Sequence, residues 1–161
     1  MEKQKDILLS NIEEQTYDKS ESEESSFWDR PLVPLMIILI IGAVLRFYKL
    51  SNPSLWLDEG HMVWIGLKPL GEIIPFVNVY ELHPPLYYLF MHFWLKLGTS
   101  EFIIRIPSVL AGVAGIYAVY LMARESAGHR TALLAAAFSS FSCFEILFCQ
   151  EARMYPMLLL F

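Results

Sequence analysis

Residues 106–123, IPSVLAGVAGIYAVYLMA, carry no charge, and this stretch decides the fold class of the chain. A transmembrane α-helix needs about 20 mostly apolar residues to cross a hydrocarbon layer of about 30 Å. Small residues at four-residue spacings would let another helix approach closely; they include Ser108, Ala111, Gly112, Ala114, Gly115 and Ala118. The stretch therefore predicts a membrane-spanning helix with a face for helix packing.

Two other stretches are apolar over a similar length. Residues 31–48 contain a single charged residue, Arg46, whose charged head we expect to reach the membrane interface. Residues 131–149 are interrupted only by Glu145, and residues 155–161 look like the start of a further helix that the chain does not finish. Because 55% of the residues are hydrophobic, we predict an all-α, polytopic integral membrane protein of the cytoplasmic membrane, in contact with its lipids.

The charge pattern assigns sides to these spans. The formal net charge is −5, and most of the acidity lies in residues 1–30, which predict a disordered cytoplasmic tail. We expect no nucleic-acid partner. The loop at residues 124–130 contains two arginines, which the positive-inside rule places in the cytoplasm. Residues 49–105 and 149–155 then lie together on the external side.

Within the external segment, residues 85–97 are apolar but short. As a helix they would extend about 20 Å, which is less than the hydrocarbon layer requires. Tyr88, His92 and Lys96 repeat at the helical interval, as expected of a helix that lies at the interface. The alternative is that this helix spans the membrane, which would separate the polar clusters on either side of it.

Two polar clusters flank the predicted spans, at residues 56–61 (WLDEGH) and 150–155 (QEARMY). Charge close to the bilayer is costly and commonly marks a functional site. Four motifs occur in the order WLDE (56–59), HPPLYY (83–88), EFIIRIPS (101–108) and QEARMY. Together they resemble the amino-terminal part of GT-C glycosyltransferases, most closely relatives of protein O-mannosyltransferases and of the lipid A aminoarabinose transferase.

The resemblance covers about residues 32–161. It implies transfer of a sugar from a polyprenyl-phosphate carrier to a protein, lipid or glycan acceptor on the external face, with a long external loop that holds the interfacial helix. Proteins of this class are several-fold longer, so we expect this chain to be a fragment that is inactive without the missing helices. The rival hypothesis is a non-catalytic membrane subunit or remnant that packs against partner helices through residues 106–123.

The resemblance also implies roles for individual residues. Asp58 would be the catalytic base or acceptor-orienting carboxylate. Glu59 is the second catalytic candidate; in a helical or extended segment it points to a different face, so that the pair would divide the labour. The alternative is a solvated carboxylate pair in an interfacial loop. Arg153 is the candidate for the carrier phosphate, because a guanidinium offers forked donors to phosphate oxygens. Glu151 would orient Arg153 or approach the sugar; alternatively it forms a structural ion pair with Arg153 or Arg105. His83, Tyr155 and Arg105 complete the predicted substrate-binding set.

A metal requirement is left open by the sequence. His61, Glu81 and His83 could surround a divalent ion, since imidazole and carboxylate suit zinc or manganese. The alternative is that these histidines only form hydrogen bonds. Tyr87, Tyr88, Trp56 and Trp64 fit an aromatic belt at the membrane interface and need no ligand for that role.

Overall fold

The computed structural model describes residues 32–81 and 83–158, and all regular structure in these ranges is helical. The predicted acidic tail lies outside them. We number the helices α1 (Leu32–Phe47), α2 (Leu57–Gly66), α3 (Leu70–Tyr80), α4 (Pro85–Trp94, extended by a 3₁₀ turn over Leu95–Leu97), α5 (Glu101–Phe141), α6 (Cys143–Cys149) and α7 (Tyr155–Leu158). The predicted all-helical fold is confirmed for this part of the chain.

Helix α5 contains the stretch that decided the fold class. Ser100 caps its first turn, with the Ile103 amide donating to the Ser100 hydroxyl at 3.4 Å. At Gly128 the backbone takes φ 78° and ψ 176°, which breaks the helical geometry inside the segment predicted as a cytoplasmic loop. Among the described helices, α5 alone is long and apolar enough to cross a membrane, while α1 is apolar but shorter.

The stretch predicted as one span over residues 131–149 is divided in the structure. Helix α5 ends at Phe141, and Ser142 has ψ 108°, outside the helical range. The Ser142 hydroxyl then accepts from the Glu145 amide at 3.4 Å and caps α6. A side chain that caps a new helix competes with continuation of the old one, which accounts for the break.

The prediction that Arg46 extends to the interface is wrong. Its side chain is fully buried, and its guanidinium donates to the carbonyls of Ser139 and Ser140, each at 3.2 Å. It also pairs with Glu145 at 3.1 Å. The last carbonyls of a helix lack partners within the helix, so the end of α5 provides acceptors that hold this cation inside the protein.

The small residues of α5 pack in part against the same chain. A Cβ atom at Gly112 would collide with the Cys149 sulfur, and one at Gly42 in α1 would lie 2.5 Å from Ile116 Cδ1. The inner small residues therefore allow α1 and α6 to approach α5. Gly115 faces open space, where a Cβ atom would meet nothing within 4 Å among the described residues. Within the described residues, the part of the predicted helix-packing face around Gly115 therefore remains uncovered, whereas the part around Gly112 is used within the chain.

An apolar cluster holds together the segment that was predicted to be external. Its buried side chains come from α2, α3, α4, the start of α5 and the turn before α7; they include Met62, Ile65, Ile73, Val77, Met91, Ile104, Ala152 and Met154. The segments that carry the two polar clusters of the sequence share this core. The core therefore brings residues 56–61 and 150–155 to one place.

Candidate functional site

Asp58 and Glu59 lie in the first turn of α2, where consecutive side chains point about 100° apart. The Asp58 side chain is 46% exposed, whereas that of Glu59 is fully buried. The two carboxylates therefore have different environments, as the sequence predicted. Only Asp58 can meet a ligand without rearrangement of the core.

Asp58 forms an ion pair with Arg153, from the second polar cluster. The Arg153 side chain is 13% exposed. One of its terminal nitrogens donates to the Tyr155 hydroxyl at 3.3 Å, and its guanidinium carbon lies 5.0 Å from the centre of the Trp56 ring. Its Nε is buried and has no hydrogen-bond partner among the described residues. Arg153 is thus fixed in position with donor capacity to spare.

Glu59 pairs instead with Arg105, at the start of α5. Arg105 Nε and Nη2 donate to the two carboxylate oxygens at 2.9 and 2.7 Å, and both side chains are buried. The Ala152 amide also donates to Glu59, at 2.8 Å. Arg105 further donates to backbone carbonyls of the loop after α1, those of Leu50, Pro53 and Ser54. This buried pair ties together three segments that are far apart in sequence.

Glu151 forms an ion pair with neither arginine within residues 32–81 and 83–158, where Arg153 pairs with Asp58 and Arg105 with Glu59. The predicted alternative of a structural Glu151 pair is therefore wrong in this structure. Burial, reinforced by the nearby charge of Glu59, raises the pKa of Glu151 above its ordinary value. Its carboxyl group has a weaker tendency to ionise than a solvated one.

The three candidate metal ligands do come together. His61 Nδ1 lies 3.4 Å and His83 Nδ1 3.6 Å from the Glu81 carboxylate, which also accepts from the Tyr88 hydroxyl at 3.0 Å. In the described ranges, however, no group of three or more His, Cys, Asp and Glu side chains could hold a metal ion. His61 and His83 therefore lie at ion-pair distance from Glu81, and neither forms a hydrogen bond to it in this structure.

The exposed members of both clusters line a cavity of about 130 Å³. Its wall consists of Asp58, His61, Met62, Glu81, His83, Tyr87, Tyr88, Ala152, Arg153 and Met154. Asp58 and Arg153 lie at one side, and the Glu81 cluster adds further polar groups. Four predicted site residues, Glu59, Arg105, Glu151 and Tyr155, do not line this cavity.

Tyr87 and Tyr88 were expected in an interfacial belt, but the structure places them inside. They are 7% and 5% exposed and line the cavity. Burial raises the pKa of each, and for Tyr88 the hydrogen bond to Glu81 acts in the same direction. Both hydroxyls are therefore neutral donors at physiological pH. Their position after Pro84 and Pro85, which start α4, was the available sequence signal.

An apolar groove of about 320 Å³ adjoins the polar cavity and shares Tyr87 and Met154 with it. Its remaining wall comes from Pro84, Leu86, Phe90, Met157 and Leu158. Leu86 is 74% exposed and Phe90 40% exposed, so the groove opens along the outer face of α4. A charged cavity and an apolar groove thus lie side by side, an arrangement that suits a ligand with a polar head and a long apolar tail.

Comparison with known proteins gives one match. Residues 82–160 match the family model described as dolichyl-phosphate-mannose-protein mannosyltransferase. The matched range includes His83, Arg105, Glu151, Arg153 and Tyr155, and it begins after Asp58 and Glu59. No curated protein and no solved structure matches the chain significantly. The resemblance to GT-C glycosyltransferases that the motifs suggested is confirmed over the matched range.

Proposed function

We propose that the chain forms the amino-terminal part of a membrane glycosyltransferase that uses a polyprenyl-phosphate sugar and acts on the external side of the membrane. The observation that carries this proposal is the polar cavity, where Asp58 and Arg153 meet and beside which an apolar groove lies. The match to a mannosyltransferase family supports a sugar as the transferred group.

In this proposal the carrier phosphate binds at Arg153. The guanidinium is held by Trp56 and Tyr155. Its Nη2 pairs with Asp58, which the phosphate would displace, so that a phosphate oxygen accepts from Nη2 instead. The isoprenoid chain of the carrier then lies in the apolar groove beside Tyr87 and Met154.

Asp58, released from Arg153, takes the proton of the acceptor hydroxyl as the oxygen attacks the anomeric carbon. The bond between that carbon and the phosphate oxygen breaks, and its electron pair leaves with the carrier phosphate. Arg153 stabilises the charge that develops there. The side chains of Tyr87, Tyr88 and His83 line the same cavity, where the sugar would lie.

The catalytic role of Asp58 is tested by transfer of radiolabelled mannose from a polyprenyl-phosphate donor, in membranes where the chain is continued by the helices that the resemblance implies. We expect Asp58→Asn to lower the rate at least about 100-fold, the usual contribution of a general base. Glu72→Gln is the matched control, because Glu72 is exposed on α3 and does not line the cavity. An Asp58→Asn enzyme with the wild-type rate would remove the assignment.

The proposed sidedness has a separate test by cysteine labelling. Cys143 is exposed and is first replaced by serine, whereas Cys149 is buried and can remain. In that background Gly60→Cys should react with a membrane-impermeant maleimide added outside intact cells, and Ala127→Cys should react only after permeabilisation. Labelling of both positions from outside would refute the proposed topology.

A further inference from the structure

A second cavity also borders Asp58. It is an open basin of about 550 Å³, and Asp58 and His61 belong to its wall as well as to the polar cavity. The rest of the basin wall is largely aromatic and aliphatic, with Trp56 and Trp64 as its largest side chains. The basin shares no lining residue with the apolar groove. Asp58 therefore stands between two separate approaches to one carboxylate.

We propose that this aromatic basin is the acceptor site and that the acceptor is a glycan, which binds with a pyranose ring against the indoles and a hydroxyl toward Asp58. The inference rests on the proposed function, since it takes Arg153 as the phosphate site. In a direct displacement, the attacking oxygen approaches the anomeric carbon opposite the leaving phosphate. Arg153 lines the polar cavity and not the basin. With the phosphate bound at Arg153, the acceptor would approach through the basin.

The wall of the basin favours a sugar over a peptide. Trp56 is 47% exposed and Trp64 52% exposed, beside a carboxylate and an imidazole that are each about half exposed. An aromatic face has partial negative charge and attracts the C–H bonds of a pyranose ring, while carboxylate and imidazole suit its hydroxyls. The described ranges contain no strand whose edge could pair with an extended peptide.

Trp56 is the better stacking platform of the two indoles. Its ring faces the Arg153 guanidinium on the cavity side, which leaves the basin side for a ligand. Trp64 already has the Lys68 ammonium 3.8 Å from its ring centre and the His61 ring stacked against it at 5.8 Å, so less of its face is open to a ligand. Because Trp64 does not contact Arg153, a substitution there changes the basin without changing the proposed phosphate site.

Saturation-transfer NMR on the chain in phosphatidylcholine nanodiscs tests the inference. The probes are mannotriose, as the glycan, and a short peptide of serine, alanine and glycine, as the protein-type acceptor. We expect saturation of the ring protons of mannotriose by the wild-type chain. Trp64→Ala should bind mannotriose about fivefold more weakly, the effect expected for the loss of one aromatic contact. Polyprenyl phosphate should not displace mannotriose. Phe93→Ala is the control, because Phe93 is an exposed aromatic of α4 outside the basin.

Binding of polyprenyl phosphate, measured in the same samples, shows that Trp64→Ala is folded and separates the two proposals. If the carrier binds and mannotriose does not, the acceptor site is refuted while the proposed function stands. Saturation of the peptide alone, equal mannotriose binding by Trp64→Ala and wild type, or displacement of mannotriose by the carrier would also refute the acceptor site. If the carrier itself does not bind, the proposed function fails.

Discussion

Removal of the Glu59 carboxylate should be among the most destabilising changes in residues 49–105. Glu59 accepts three N–H groups, two from Arg105 and one from Ala152, and is fully buried. Loss of one member of a buried ion pair costs about 3–5 kcal/mol. Arg105 keeps three backbone carbonyls as acceptors, so we expect about 3 kcal/mol for Glu59→Leu, the lower end of that range.

The matched double variant distinguishes an ion pair from a simple packing defect. Glu59→Leu with Arg105→Met removes both charges and leaves side chains of similar volume. We expect its loss of stability to be smaller than the sum of the two single losses by about 2 kcal/mol or more, since coupled neighbours are not additive.

The assay is reversible denaturant unfolding in detergent micelles, followed by far-UV circular dichroism. Glu125→Gln, an exposed acid of α5, is the control and should lie within about 0.5 kcal/mol of wild type. A loss of less than about 1 kcal/mol of unfolding free energy for Glu59→Leu would refute the stabilising role of the buried Glu59–Arg105 pair. If the stability loss of the double variant equals the sum of the two single losses, the direct pairing of Glu59 with Arg105 is refuted.

Two further predictions concern glycine packing and pH. Gly112→Ala should destabilise the chain by about 1–3 kcal/mol, because the added Cβ collides with the Cys149 sulfur. Gly115→Ala, in open space on the same helix, should stabilise it by up to about 1 kcal/mol. Equal effects of the two substitutions in unfolding assays would contradict this packing. The raised pKa of Glu151 means that the folded state keeps this proton to higher pH than the unfolded state. The stabilisation is therefore present below the ordinary glutamate pKa of about 4.3 and lost as pH rises through the raised value. Glu151→Gln should remove that part of the pH dependence of unfolding, and an unchanged profile would refute it.

The sequence predicted the helical fold, the short helix after Pro84 and Pro85 and the adjacency of the two polar clusters, because apolar runs and their spacing are local signals. It could not show that Glu59 is buried while Asp58 is exposed. That difference depends on Arg105, which lies 46 residues away in sequence.

The burial of Arg46 escaped prediction for a similar reason. Its acceptors are carbonyls at the end of α5, more than 90 residues further on, where the helix ends at Ser142. The inward position of Tyr87 likewise follows from the shared apolar core, since an aromatic residue after a proline pair fits an interfacial belt equally well. Long-range pairing decided each of these positions.

The central claim, that Arg153 holds the phosphate of an apolar carrier, is tested most directly by equilibrium binding of a polyprenyl phosphate to the chain in nanodiscs. Charge-assisted hydrogen bonds contribute about 1.5–3 kcal/mol, so Arg153→Met should weaken binding about 10- to 150-fold. Arg124→Met, which removes an exposed arginine of α5 outside the cavity, should leave it unchanged. Equal affinity of the Arg153→Met and wild-type chains, or equal binding of the unphosphorylated polyprenol, would contradict the account.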